Sequence, residues 1–214
     1  MNIPNLLTVL RVLLIPIFIL LFYMPFSWSY WAASAVFAFA ALTDWLDGYL
    51  ARRWEQSTPF GAFLDPVADK LMVATALFLI VQGHPTPWMA FWAAVIVGRE
   101  IAVSALREWM AGLGQRATVK VAAIGKIKTI AQMVALSCLL YSINPRYPLQ
   151  PGTEIWMGVP VFHIGDWLLG AAALLTLWSG FAYLRAAWPV LRDAEKSAVD
   201  TTRTPGKMRG STRE

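Results

Sequence analysis

Leu6–Tyr23 reads LLTVLRVLLIPIFILLFY, an unbroken apolar run with one charge, Arg11. A spanning helix needs about 20 such residues to cross a hydrocarbon core ~30 Å thick. Five further apolar stretches follow, near residues 31–50, 67–82, 88–109, 121–143 and 167–188. The composition agrees. Of 214 residues 57% are hydrophobic and 14% charged, where soluble domains carry about 25% charged residues. Mean hydropathy is +0.52. The reading is an all-α integral membrane protein with six transmembrane helices. Residues 1–192 make one membrane domain, and residues 193–214 a polar, flexible tail.

The connections give an orientation. His84-Pro85-Thr86-Pro87 breaks the chain after the third span, as prolines do. The longest connection, residues 144–165, holds Pro145, Pro148, Pro151, Gly152 and Pro160, with enough apolar residues to lie on the membrane surface. Arg52, Arg53, Lys70, Arg107, Arg116, Lys120, Lys126 and Lys128 crowd one side, together with the basic tail; the other side offers only Arg146. The positive-inside rule puts both termini in the cytoplasm, and the even span count agrees. The net charge of +5 therefore reads as topology and affinity for anionic headgroups, not nucleic-acid binding. Met1–Asn5 has no basic stretch that would begin a removable signal peptide. The lone Cys138 builds no disulfide or thiolate metal site.

The acids are concentrated. Asp44, Asp47, Asp65 and Asp69 fall close together, with only Glu55 between them. Asp44, Asp47, Gly48 and Ala51 are spaced i, i+3, i+4 and i+7, one face of a helix. Asp65 and Asp69 are i and i+4 on the next. A short connection with Pro59 and Gly61 makes the two helix ends neighbours. Four carboxylates cannot stay ionised together at low dielectric without cations. All-oxygen ligands suit a hard divalent ion: magnesium, manganese or calcium. Two such ions form the clamp used in phosphoryl-type transfer. Gly48 clears space for a phosphate, and Arg52, one turn on, can grip one bidentately.

The pattern Asp44-x-x-Asp47-Gly48-x-x-Ala51-Arg52, then Gly61-x-x-x-Asp65-x-x-x-Asp69, resembles the signature of the CDP-alcohol phosphatidyltransferases without a departure. Residues 2–11 (NIPNLLTVLR), 43–70, 99–109 (REIAVSALREW) and 125–136 (GKIKTIAQMVAL) look like the bacterial branch that makes phosphatidylglycerol phosphate. The resemblance implies two divalent ions, Mg2+ or Mn2+, held by Asp44, Asp47, Asp65 and Asp69, with Asp69 also the general base. It implies a nucleotide site lined by Gly48, Arg52 and Gly61, CDP-diacylglycerol as donor and sn-glycerol 3-phosphate as acceptor. It places the protein in the bacterial inner membrane with its site facing the cytoplasm. A metal-bound alkoxide formed without a true base is the alternative to Asp69.

A phosphorylated acceptor needs its own cations. Arg99, midway along the fourth span, should face the bundle interior, unless Glu100 beside it merely neutralises it. Arg107 is placed to line the same cavity nearer the surface. Lys126 and Lys128, at i and i+2, point to different sides, and Lys128 is favoured. Asn5, Thr8 and Arg11 share a face of the first span, and either line the nucleotide site or pack the bundle by hydrogen bonds. His84 and His163 are expected on the side opposite the aspartates, away from metal. Trp28, Trp31, Trp88, Trp109, Trp167 and Trp188 read as aromatic belts, and Asp166 as a cap of the sixth span. Ser34, Ala38 and Ala41 would permit close helix contact, within the chain or in a homodimer. A lipid substrate calls for a lateral groove between spans. Two rival readings are the same chemistry on inositol phosphate, serine or phosphatidylglycerol, and a cation transporter, which would need its carboxylates near the bilayer midplane. A purely structural membrane protein would leave the aspartates unexplained.

Overall fold

In a computed structural model the described residues are 3–54, 59–112, 123–142 and 158–203, and all of them are helical except the turns at 24–28 and 84–86. There are six helices among them: α1 (Ile3–Tyr23), α2 (Ser29–Trp54), α3 (Pro59–Gly83), α4 (Pro87–Gly112), α5 (Ala123–Ser142) and α6 (Gly158–Arg203). Among the described residues three segments, Leu6–Tyr23, Pro87–Gly112 and Val161–Arg192, are long and apolar enough to cross a membrane. The other three helices carry the four aspartates, with Arg52, Lys126 and Lys128.

Side-chain pairs fix the helix directions. Thr8 meets Asp65 and Tyr23 meets Gln82, so α1 and α3 run parallel. Tyr30 packs on Tyr141, and Ser34 Oγ donates to the Ser137 carbonyl at 2.8 Å, so α2 and α5 are antiparallel. Arg99 meets Ser179, and Arg107 stands over Tyr183, so α4 and α6 are parallel. The bundle alternates up and down. The starts of α1, α3 and α5 share one end with the finishes of α2, α4 and α6.

The interior is apolar and tightly filled. Phe18, Phe22, Phe37, Leu77, Ile80 and Ile96 are all buried, as are Leu136, Leu139 and Leu140. Small residues set the helix spacing. A Cβ on Gly165 would lie 2.9 Å from Leu139 Cγ, so α5 and α6 approach as closely as a glycine allows. The outside is equally apolar. Leu13, Leu20, Phe39, Phe63, Phe78 and Phe181 are all exposed, a surface suited to lipid and not to water. The six tryptophans read as belts are all exposed too.

Three expectations change. Helix α6 starts at Gly158, so the connection expected over 144–165 is shorter, and Asp166 lies inside the helix instead of capping it. Gly165, buried against α5, sits mid-helix because packing outweighs its poor propensity. Helix α6 also continues past Arg192 to Arg203, where a frayed tail was expected. Its mixed-charge sequence is compatible with an exposed helix. Third, Ser34 meets α5 of the same chain, while Ala38 is exposed. The break after α3 is as read: Thr86 Oγ1 accepts from Met89 N at 3.2 Å and caps α4, with Pro87 at the first helical position.

Candidate active site

At the end of the bundle where α1 and α3 begin, polar side chains from three helices converge. Helix α2 brings Asp44, half-exposed, and α3 brings Asp65 and Asp69, both partly buried. Helix α1 supplies their partners. Arg11, only 2% exposed, places Nη1 2.6 Å from Asp44 Oδ1, and the Thr8 hydroxyl donates to Asp65 Oδ1 at 2.5 Å. Asp69 lies within electrostatic reach of Asp44 and Arg11, and of Glu100 and Lys70. Positions 44, 47, 48 and 51 all fall inside unbroken α2, so the helical register read from the sequence holds. Gly61 is buried near the start of α3. The side chains of Asn5, Asp47, Gly48, Arg52 and Lys126 lie outside the described residues, as do residues 113–122, 143–157 and 204–214.

The donor set is all oxygen, and it belongs to residues that hard divalent cations prefer. Among the described residues no group of three or more His, Cys, Asp or Glu side chains is gathered closely enough to hold a metal.

Beside the aspartates a cavity of about 250 Å³ opens between α3, α4 and α5. Asp69, Lys70, Glu100, Thr129 and Gln132 form its polar lining, and the remaining wall, with Leu71, Val97, Ile101 and Met133, is apolar. A polar end joined to an apolar slot suits a substrate that is part headgroup and part lipid. Glu100 Oε1 accepts from Lys128 Nζ at 2.7 Å and from Arg99 Nη1 at 3.0 Å. Arg99 Nη2 donates to Ser179 Oγ on α6 at 2.8 Å. Lys128, buried, lies within electrostatic reach of Asp69.

The candidate acceptor residues therefore divide. Lys128 is gathered near Asp69. Arg99 is inward-facing as expected, but turns toward α6, and its neighbour Glu100 does neutralise part of its charge. Arg107 is exposed, with its guanidinium 5.9 Å from the Tyr183 ring centroid. Neither arginine is among the described residues that line the cavity, and Lys128 stands behind that lining, bonded to Glu100, which is part of it. Thr8 and Arg11 meet aspartates directly, where the sequence left nucleotide contact and bundle packing open. His84 stacks edge-on against Phe162, at the other end of the bundle. Three site residues went unread: Thr129, next to Lys128, with Gln132 and Ser179. Gln132 lies one turn after Lys128, a spacing that was available in the sequence. Ser179 lies in an apolar helix and carries no such signal.

A family model described as CDP-alcohol phosphatidyltransferase matches residues 1–178. The chain belongs to the CDP-alcohol phosphatidyltransferase family. Members of this family transfer phosphatidyl groups and generally use divalent metals. Similar curated proteins bear the name CDP-diacylglycerol–glycerol-3-phosphate 3-phosphatidyltransferase. One from Pseudomonas fluorescens is 63% identical over 90% of this chain and 93% of its own length. Others from Shigella flexneri serotype 5b and Escherichia coli K12 are 53% identical over 90% of this chain and 98% of theirs. Membership in this family accounts for an aspartate cluster at a helix-bundle end beside a half-apolar cavity.

Proposed function

We propose that the chain transfers the phosphatidyl group of CDP-diacylglycerol to sn-glycerol 3-phosphate, giving phosphatidylglycerol phosphate and CMP. The observation that carries the acceptor is the 63% identity, over 90% of the chain, to a relative named for that reaction. The chain works in the bacterial inner membrane, with all six helices crossing and both termini cytoplasmic. That places the aspartates at the cytoplasmic end, where the water-soluble acceptor meets the nucleotide headgroup of the lipid donor. Residues 1–192 form the membrane domain, and residues 193–214 a cytoplasmic extension. The small residues of α2 leave a homodimer open as the assembled form.

Asp44, Asp47, Asp65 and Asp69 would hold two divalent ions, Mg2+ or Mn2+, and those ions would neutralise the diphosphate and its developing charge. Gly48, Arg52 and Gly61 line the nucleotide site. Asn5 belongs to the same polar face of α1 as Thr8 and Arg11, which orient Asp65 and Asp44. Asp69 takes the proton of the acceptor's primary hydroxyl. The oxygen freed of it attacks the phosphorus that bears the lipid. The bond from that phosphorus to the bridging oxygen breaks, and CMP leaves with the oxygen. Lys128, backed by Arg99, faces the acceptor phosphate; Arg107 and Lys126 are placed to draw it in from the cytoplasmic surface. The apolar part of the cavity receives the donor's lipid from the bilayer side, and its polar end, at Asp69 and Glu100, takes the acceptor.

The test is CMP release by purified protein with CDP-diacylglycerol and magnesium, comparing glycerol 3-phosphate, serine, inositol phosphate, phosphatidylglycerol and no acceptor. Release is expected with glycerol 3-phosphate alone and is lost with a chelator. Release only with another acceptor would move the protein to a different branch of its family.

A further inference from the structure

One carboxylate oxygen ties three helices together. Glu100 Oε1, on α4, accepts from Lys128 Nζ of α5 at 2.7 Å and from Arg99 Nη1 at 3.0 Å. Arg99 Nη2 continues to Ser179 Oγ of α6 at 2.8 Å, and Ser179 donates in turn to the Thr176 carbonyl at 3.1 Å. Gly180 leaves room for this: a Cβ there would stand 3.1 Å from Arg99 Cγ. Glu100 also lines the cavity that Asp69 lines.

Within hydrogen-bond distance two cations share one carboxylate, and a second carboxylate, Asp69, lies within electrostatic reach of Lys128. The two cations are thus gathered beside the cavity, where they present donors to an anionic ligand. Without the carboxylate, the ammonium and guanidinium would repel each other at close range. A lysine side chain is long and flexible, and Lys128 is only 5% exposed. Burial alone disfavours its charged form. Glu100 supplies the counter-charge and the hydrogen bond that hold the ammonium in one place.

We propose that Glu100 is a positioning residue for the acceptor: it aims Lys128 at the Asp69 end of the cavity and draws Arg99 up behind it, building the seat for a phosphorylated alcohol. The proposal rests on the reading that the acceptor carries a phosphate. It assigns Glu100 no contact with the reacting atoms. Its effect therefore falls on acceptor binding and leaves the donor untouched, which a role in folding alone would not do.

The experiment is steady-state CMP release by the full chain in detergent or nanodiscs, with glycerol 3-phosphate and CDP-diacylglycerol varied separately. Hydrogen bonds to charged groups of this kind are worth about tenfold or more in binding. Glu100→Gln is expected to raise the acceptor KM by about that factor, with the donor KM unchanged. Lys128→Met is expected to do the same, and the double variant to fall well short of the product of the two single effects, because Glu100 acts in large part through Lys128. Should Glu100→Gln not fold, Glu100→Asp keeps the counter-charge and shortens the reach, and is expected to raise the acceptor KM alone. An unmoved acceptor KM in the folded variants, equal shifts in both KM values, or additive effects in the double variant overturns the proposal. A wild type that releases CMP without regard to glycerol 3-phosphate would instead take down the functional reading, and the proposal with it.

Discussion

At the scale of single residues, the aspartates do not stand alone. Arg11 is almost wholly buried, and it lies against Asp44; Thr8 holds Asp65. These partners orient the carboxylates as outer-shell groups orient metal ligands, and losing one typically costs about 10- to 100-fold in metal affinity. Thr8→Val is therefore expected to raise the magnesium needed for half-maximal activity by at least about tenfold, with full activity regained at saturating metal. A magnesium titration of CMP release checks it, and an unchanged midpoint would remove Thr8 from this role. Asp69→Asn keeps size and hydrogen bonding but not basicity. Loss of a general base costs about 10²- to 10⁴-fold, so kcat should fall by that much while CDP-diacylglycerol still binds. A variant with near-normal kcat would favour a metal-bound alkoxide formed without a base. The four acids were legible because the spacing i, i+3 and i, i+4 is a property of one helix. Their partners were not, because nothing in the spacing relates residue 8 to 65 or residue 11 to 44.

At the scale of elements, close approach is the recurring device. Gly165 sits where a Cβ would be 2.9 Å from Leu139 Cγ and 3.2 Å from Cys138 Cβ. Those atoms belong to a packed interface, and overpacking of this sort costs about 1–3 kcal/mol. Gly165→Ala should therefore lower the thermal midpoint of the detergent-solubilised protein, read by intrinsic tryptophan fluorescence. Gly98, with nothing near its position, offers the control: Gly98→Ala should not lower it, since alanine favours the helix. The sequence placed all six helices, and their ends were its weak point. Helix α6 has 46 residues, roughly 70 Å of helix at 1.5 Å per residue, more than twice the ~30 Å hydrocarbon core. Charge hid the end of this helix past Arg192, while Pro160 and Gly165 made its apolar start read as part of the preceding connection.

At the scale of the whole molecule, alternation of the helices brings every candidate catalytic element to one end of the bundle. The positive-inside rule says which end that is. In a Cys138→Ala background, Gln150→Cys should react with a membrane-impermeant maleimide added outside intact spheroplasts. Met208→Cys should react only after the membrane is opened. The reverse pattern would invert the orientation and put the aspartates on the wrong side for cytoplasmic substrates. Half-buried Cys138 is removed so that only the new thiol reports.

The sequence by itself determined the class, the six helices of the described residues and the family, and it singled out four acids, of which Asp44, Asp65 and Asp69 come to one end of the bundle. Each of these is local: apolar length, helical spacing, and a motif confined to two neighbouring helices. Only the tertiary structure decided that Arg11 and Thr8 serve the aspartates, that Glu100 joins Arg99 to Lys128, and that Arg107 stands over Tyr183 away from the cavity. The reason is the solvent. Lipid is as apolar as a protein core, so the outward Phe78 and the inward Leu77 carry the same signal. Hydropathy therefore says where a helix lies along the membrane normal and little about which way it is turned, and that turn decides which polar groups meet.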